Sequence, residues 1–216
     1  MELNNTNYED MLLNHHLPPF TNYKDLSSNG IRIISEASGN YIYDNSGNKI
    51  LDAMAGLWCV NIGYGRSQLA EVAKEQMLKL PYYNSFFKTN NVEAAKLSKK
   101  LAQITPEGLN HSFFANSGSE ANDTIIRMVR HYWGLEGQPN KRIIIGREYG
   151  YHGSTIMSAS MGGMVDMHNQ AAKEKDFHHI PAPYAFKYKG NQSTDLFSQT
   201  SASWLEEKII ELYPES

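Results

Sequence analysis

The stretch from His111 to Gly137, HSFFANSGSEANDTIIRMVRHYWGLEG, constrains the fold more than any other part of this 216-residue chain. Its first residues, His111 to Ala115, read as a short apolar strand. The strand breaks at Asn116-Ser-Gly-Ser119 and re-forms as a helix carrying Ile125, Met128, Val129 and Tyr132 on one face. The first N–H groups of a helix have no intrahelical partner, and aligned peptide dipoles place partial positive charge there. A strand, a small polar turn and a helix therefore make a site for an anion. Gly118 lets an anion approach the backbone, and Ser117 and Ser119 add hydroxyl donors. The same residues, Ser117-Gly-Ser-Glu120, also fit the S-x-x-E capping box, which needs no ligand. From these residues alone the two readings stand level.

The flanking patterns place this stretch in an α/β domain. Arg142-Ile-Ile-Ile-Gly146 is a continuous apolar run, as expected for a strand buried on both faces of a mostly parallel sheet. Ser154 to Met161 reads as a small-residue helix able to pack on that sheet. Met164 to Lys175 is weakly patterned, and Lys187 to Ser203 is polar enough for a surface loop. Ser203-Trp-Leu-Glu206 repeats the capping-box spacing and opens a helix through Ile209 and Leu212, which Pro214 closes. Alternating strands and helices from His111 onwards argue for a layered parallel sheet.

Upstream, Tyr8 to Leu13 suits one or two turns of helix, and Leu17-Pro-Pro-Phe20 is an extended arm. Ile31 to Ile34, Tyr41 to Tyr43 and Lys49 to Leu51 read as a small antiparallel meander, the last two strands joined by the turn Asp44-Asn-Ser-Gly-Asn48. Ser67 is the expected N-cap of a helix to Leu80, ended by Pro81. Asn91 starts a second helix that runs to Thr105-Pro106. The apolar stripes of both helices read as ordinary core. Between them Tyr82-Tyr-Asn-Ser-Phe-Phe-Lys88 suits a buried loop or an interface better than a solvated linker.

Charge and composition narrow the partners. The formal net charge is −3 with acids and bases mixed along the chain, so neither a nucleic-acid face nor a polybasic membrane patch is expected. The eight histidines are scattered without zinc-ligand spacing, and no metal is expected. Cys59, the one cysteine, rules out an internal disulfide and suits a reducing compartment. MELNNTNYED has neither the positive nor the apolar region of a secretory leader. The longest apolar run, Ala53 to Val60, falls well short of the ~20 residues that span a bilayer. A soluble, cytoplasmic protein is the expectation.

Three segments carry a family resemblance. Asn116-Ser-Gly-Ser-Glu-Ala-Asn122 resembles the phosphate-cup turn of class III, fold-type I aminotransferases, which bind pyridoxal 5′-phosphate (PLP). Leu51-Asp-Ala-Met-Ala-Gly-Leu-Trp-Cys-Val-Asn-Ile-Gly-Tyr-Gly-Arg66 resembles an early segment of the ω-amino acid and amine:pyruvate branch. Tyr149-Gly-Tyr-His-Gly153 is similar to the segment whose aromatic ring stacks on the cofactor. The likeness runs from about His15 to the last residue and covers the N-terminal portion of the longer family chain.

The resemblance implies a role for each of these segments. Ser117, Gly118 and Ser119 would hold the PLP phosphate, Tyr151 would stack on the pyridine ring and His152 would shape the same pocket. Phe20, Leu57, Trp58, Phe86 and Phe87 match positions that wall the substrate pocket. Taken singly, Tyr151 also suits a core aromatic, His152 a structural hydrogen-bonder and Trp58 core packing. Residues 1–66 would be the N-terminal arm and small-domain segment, and 67–216 the first part of the PLP-binding large domain. The implied reaction moves an amino group from an amine or ω-amino acid such as β-alanine to pyruvate through pyridoxamine phosphate. The functional unit would be a homodimer, with the segment like Tyr82 to Lys88 reaching the partner's site.

The Schiff-base lysine and the acid on the pyridine nitrogen fall in family segments beyond Ser216, and Lys173, Lys175, Lys187 and Lys189 lie in polar surroundings that lower no pKa. No catalytic residue is assigned, and the 216 residues by themselves are expected to be inactive. The alternatives are a class III aminomutase and a non-catalytic phosphate-binding or dimerisation fragment.

Overall fold

Asp44 turns the chain back on itself, and its carboxylate shows how. In the computed structural model, which describes residues 7–171 and 173–213, Asp44 Oδ1 accepts from the Ser46 and Asn48 backbone N–H groups at 3.0 and 2.9 Å. Its Oδ2 accepts from the Asn48 side-chain amide at 2.9 Å. These donors, the Asn48 side chain foremost, hold the Asp44 carboxyl below the usual carboxylate range. The turn joins β2 (Tyr41–Asp44) to β3 (Lys49–Leu51), and β2 pairs on its other side with β1 (Ile34–Ser38), giving the expected antiparallel meander. β1 begins where the sequence suggested that a strand over 31–34 would end. Its register runs back from the Gly39-Asn40 turn, with Ser38 opposite Tyr41, so turn geometry rather than the apolar Ile31 to Ile34 run decides the pairing.

Helices α1 (Tyr8–His15) and α2 (Tyr23–Asn29) begin at Asn7 and Asn22, whose side-chain oxygens accept first-turn N–H groups. α2 was not anticipated from the sequence. A short turn, α3 (Ala55–Trp58), precedes α4 (Ser67–Lys79). Ser67 is the first helical residue of α4 and not its cap. Arg66 holds the cap position without a side-chain bond. α5 (Val92–Ile104) starts one residue after Asn91. Leu69 and Val72 of α4 and Leu97 and Ile104 of α5 are exposed, which corrects the reading of both stripes as core. Neither helix packs closely on another element among the described residues. The first compact unit ends at Asn91 and the second begins at Val92. The sequence places the change of domain at 66/67, and that boundary stays a proposal about the larger fold.

In the second unit the organising helix is α6 (Gly118–Leu135). It is followed by β4 (Ile144–Arg147), α7 (Ile156–Met161), α8 (Val165–Gln170), β5 (Phe177–Ile180), α9 (Ala185–Tyr188) and α10 (Thr194–Leu212). β4 and β5 pair in parallel, Ile144 opposite Phe177 and Arg147 opposite Ile180. Two expectations change here. His111 to Ala115 has no ladder partner among the described residues and is not a strand. β4 is half-buried rather than buried on both faces, because β5 is its one strand neighbour among the described residues.

The polar stretch expected as a loop up to Ser203 is helical from Thr194, capped by Ser193 through the Leu196 N–H at 3.2 Å. Its hydroxyls turn inward to the helix: Ser198 donates to the Thr194 carbonyl at 2.9 Å, Thr200 to that of Leu196 at 2.9 Å and Ser203 to that of Thr200 at 2.9 Å. Pro214, the expected end of that helix, lies outside the described residues, as do the first six of the stretch read as lacking a leader.

Ile126, Phe177, Ile180 and Phe197 are buried and form the core of the second unit. Arg130 ties α6 to β5: its guanidinium lies 5.5 Å from the Phe177 ring centroid and donates to Asp176 Oδ2 at 3.3 Å. His179, on β5, presents Nε2 to the Met161 carbonyl at 3.2 Å, and burial followed by the Lys173 charge pushes its pKa below 6.5. The unfolded chain therefore takes up this proton first, so stability is lost as pH falls through the unfolded value and levels off below the folded one. The thermal midpoint should drop between about pH 7.5 and about pH 5.5, and His179→Gln should flatten that part of the profile.

Candidate functional site

α6 starts because Ser117 is extended, with φ −152° and ψ 160°, and its Oγ accepts the Glu120 N–H at 3.2 Å. Glu120 answers with Oε2, which accepts the Asn116 N–H at 2.9 Å, so the capping box forms with its carboxylate one residue further out than usual. The box leaves the Gly118 and Ser119 N–H groups without an acceptor among the described residues. Ser117 Oγ receives a backbone N–H and keeps its own hydrogen to donate, as does Ser119 Oγ, which accepts from the Ser154 N–H at 3.0 Å. The cap, one of the two readings level on sequence, therefore forms and still leaves donors free for the other.

Two glycines frame the site for opposite reasons. Gly153 has φ +135°, and a Cβ there would lie 2.9 Å from both Ser119 Cα and Ser158 Cβ, so only glycine fits. Gly118 has an ordinary helical conformation, and a Cβ there would meet nothing within 4 Å. Neither packing nor backbone asks for glycine at Gly118, so what its Cβ would fill is open space on the first turn of the helix.

The loop after β4 is bonded onto that turn. Asn122 Nδ2 donates to the His152 carbonyl at 2.6 Å, and the Ser158 hydroxyl shares its one hydrogen between the Ser119 carbonyl at 3.0 Å and Asp123 Oδ1 at 2.8 Å. Asp123 Oδ1 accepts from Thr155 at 2.7 Å and from Ser158 at 2.8 Å. The result is an open cleft of about 440 Å³ lined by Ser117, Gly118, Ser119, Asn122, Tyr151, His152, Gly153 and Ser154. All five residues expected to hold the cofactor meet there. Tyr151 is 56% exposed and not a core aromatic. Asn122, Asp123, Thr155 and Ser158 were not singled out from the sequence. Their signal is spacing, since Asn122 and Asp123 follow Ser119 by three and four residues and share its helix face.

Beside the cleft, Tyr149 has φ +64° and its hydroxyl receives Lys187 Nζ at 3.3 Å. Hydrogen bonding with Tyr188, then with Lys187, pushes the Tyr149 hydroxyl pKa down. The same tyrosines raise that of Lys187, Tyr188 more strongly than Tyr149.

The residues expected to wall a substrate pocket lie in the first unit. Phe20, Leu57, Trp58, Phe86 and Phe87 are all exposed, Trp58 at 84% and Phe87 at 93%, so none is core and the segment Tyr82 to Lys88 is not a buried loop. Phe20, Leu57, Trp58 and Phe87 have φ of +50°, +62°, +69° and +55°. Each such L-residue costs about 1–2 kcal/mol, and strain of this kind concentrates at functional sites. Among the described residues no group of histidine, cysteine, aspartate or glutamate could hold a metal, and no helix is long and apolar enough to cross a membrane.

The family model Aminotransferase class-III matches residues 23–211. The putrescine–pyruvate aminotransferase of Pseudomonas aeruginosa is 53% identical over 207 residues, which are 94% of this chain and 44% of that protein. The ω-transaminase of Pseudomonas jessenii, solved with PMP, superposes with a TM-score of 0.92 at 32% identity over 97% of this chain and 47% of its own. A thermostable ω-transaminase variant with a tryptophan replaced by glycine, engineered for synthesis of bulky amines, superposes at 0.90 with 33% identity over 96% of this chain and 47% of its own. The chain thus spans less than half the length of these relatives.

Gly153→Ala should destabilise the protein by about 1–3 kcal/mol, whereas Gly118→Ala should change stability by less than about 0.5 kcal/mol. Urea unfolding midpoints of the two variants check the contrast.

Proposed function

The chain belongs to the class-III aminotransferases, and on that premise we propose that the whole protein uses PLP to move an amino group from an amine or ω-amino acid, putrescine included, to pyruvate. The observation that carries the cofactor reading is the first turn of α6, where Gly118 leaves open space beside two N–H groups without acceptors among the described residues and two donor hydroxyls. A helix dipole offers an anion only ~0.3–1 kcal/mol, and each hydrogen bond to a charged group ~1.5–3 kcal/mol, so a bound phosphate needs the backbone and hydroxyl donors together. Ser117, Gly118 and Ser119 supply them. Tyr151 would lie against the ring and exclude water from one face, and His152, held through its carbonyl by Asn122, would fix the loop that presents Tyr151.

PLP, when bound, accepts the amino group and gives it up again to a keto acid by acting as an electron sink. An amine that bonds to it must be neutral, and Lys187 is pushed the other way, towards the charged form. Lys187 is therefore not given that role. The engineered relative with a replaced tryptophan supports Trp58 as the wall that limits amine size. The exposed Tyr82 to Lys88 segment supports a homodimer interface, and the single cysteine supports a reducing, cytoplasmic compartment.

Gly118→Val should weaken PLP binding at least about tenfold while leaving the unfolding midpoint of the cofactor-free protein in place. An equal loss of binding and stability would reduce the site to a helix cap. Trp58→Ala should raise kcat/KM for 1-phenylethylamine relative to putrescine by about tenfold. Alanine formation from pyruvate with each amine measures it, and an unchanged ratio would remove Trp58 from the pocket.

A further inference from the structure

Ala55, Gly56, Leu57 and Trp58 form the longest run of positive φ among the described residues, at +48°, +60°, +62° and +69°. Left-handed backbone is unfavourable for each of the three that are not glycine, so this turn persists only where its surroundings over-determine it. Local bonds contribute: the Trp58 N–H reaches the Met54 carbonyl at 2.9 Å and the Cys59 N–H that of Ala55 at 2.9 Å. What fixes the turn to the rest of its unit is Asp52. Its Oδ1 accepts the Met54 N–H at 3.2 Å, and its Oδ2 accepts the Gly56 N–H at 2.7 Å and the Tyr64 hydroxyl at 2.7 Å. Both ends of this clamp are bonded to the turn between β1 and β2, the Asp52 N–H to the Asn40 carbonyl at 3.0 Å and the Tyr64 N–H to the Gly39 carbonyl at 2.8 Å.

Tyr64 also lies against the strained turn itself. A Cβ on Gly56 would meet the Tyr64 hydroxyl at 3.1 Å and Val60 Cγ2 at 2.8 Å. The charge distribution agrees with a tight contact: the Tyr64 hydrogen bond leads the groups that hold the Asp52 carboxyl below its usual range, and Asp52 pushes the Tyr64 phenol up. The two side chains thus bracket the residues that carry Leu57 and Trp58, and Trp58 is 84% exposed, with no core to hold it in place.

We propose that Asp52 and Tyr64 are positioning residues that set the size of amine accepted, by holding the left-handed turn in the conformation that presents Trp58. The proposal rests on the reading of Trp58 as a substrate-pocket wall and names what makes that wall rigid. Neither residue needs to touch substrate or cofactor. Tyr64→Phe keeps the ring and removes one of the three donors to Asp52. Asp52→Asn sets an amide NH₂ against groups that themselves donate, and so loosens the turn further.

The test is a double-mutant cycle in the PLP-loaded, full-length protein, reading kcat/KM for 1-phenylethylamine relative to putrescine, with cofactor absorbance and thermal midpoint as controls. Tyr64→Phe should shift the ratio about threefold to tenfold towards the bulky amine, with cofactor binding unchanged. In the Trp58→Ala background the same substitution should leave the ratio where it was, which a general loss of stability would not do. No shift from Tyr64→Phe in the unaltered protein, or an equal shift in both backgrounds, would overturn the proposal. If Trp58→Ala itself moves the ratio and Tyr64→Phe does not, the pocket reading stands and only this inference falls. If Trp58→Ala leaves the ratio alone, both fall.

Discussion

The close approach of two backbones at Gly153 underlies the whole of the cleft. Ser119 Cα and Ser158 Cβ both stand 2.9 Å from where a side chain would begin, so the loop after β4 can lie directly on the first turn of α6. That contact allows Ser154 to reach Ser119, Asn122 to reach the His152 carbonyl, and Ser158 to share its one hydrogen between the Ser119 carbonyl and Asp123. Each of these bonds contributes about 1 kcal/mol or somewhat more where Asp123 is the acceptor. Their geometric effect exceeds their energy, because they bring the first turn of α6 and an aromatic ring to one cleft from segments about thirty residues apart.

Strain and clamp show the same logic in the first unit. Three L-residues in left-handed backbone cost together roughly 3–6 kcal/mol, and that deficit is offset by ligation of the turn to Asp52 and by its anchorage to the meander. The meander has few buried residues, Asp44 among them, and serves less as a core than as a frame for turns. A rigid frame with a strained, exposed turn on it is a common way to present a side chain to something other than its own protein.

Much of this was legible in the sequence because it depended on local chemistry. Ser117 and Glu120 marked where α6 begins, and Asp44 to Asn48 predicted its turn, since both are satisfied within four residues. Ser117, Gly118, Ser119, Tyr151 and His152 were found by likeness to a family, and the fold brings them into one cleft. What was missed depended on partners. His111 to Ala115 has strand chemistry but no strand to pair with among the described residues, and the stripes of α4 and α5 have helical period but no close neighbour there. Periodicity reports that a face is apolar, not what covers it. The left-handed turn at Ala55 to Trp58 was invisible for another reason, since two of its three L-residues are bulky and a positive φ would not be guessed for either.

α10 misled in the opposite direction, and its hydroxyls explain why polarity on paper is not polarity in space. Ser198 and Thr200 each give their hydrogen to a carbonyl of the same helix, and Ser203 shares its own between the Thr200 carbonyl and the Glu207 carboxylate, both at 2.9 Å. A donor already satisfied in this way needs no water for its hydrogen, so the transfer of such a serine or threonine out of solvent costs only the hydration of the oxygen lone pairs. Phe197 and Trp204, in edge contact at 6.1 Å on the same helix, are then flanked by hydroxyls whose hydrogens are already satisfied. A surface of this sort is wettable when bare and inexpensive to dry when something settles on it.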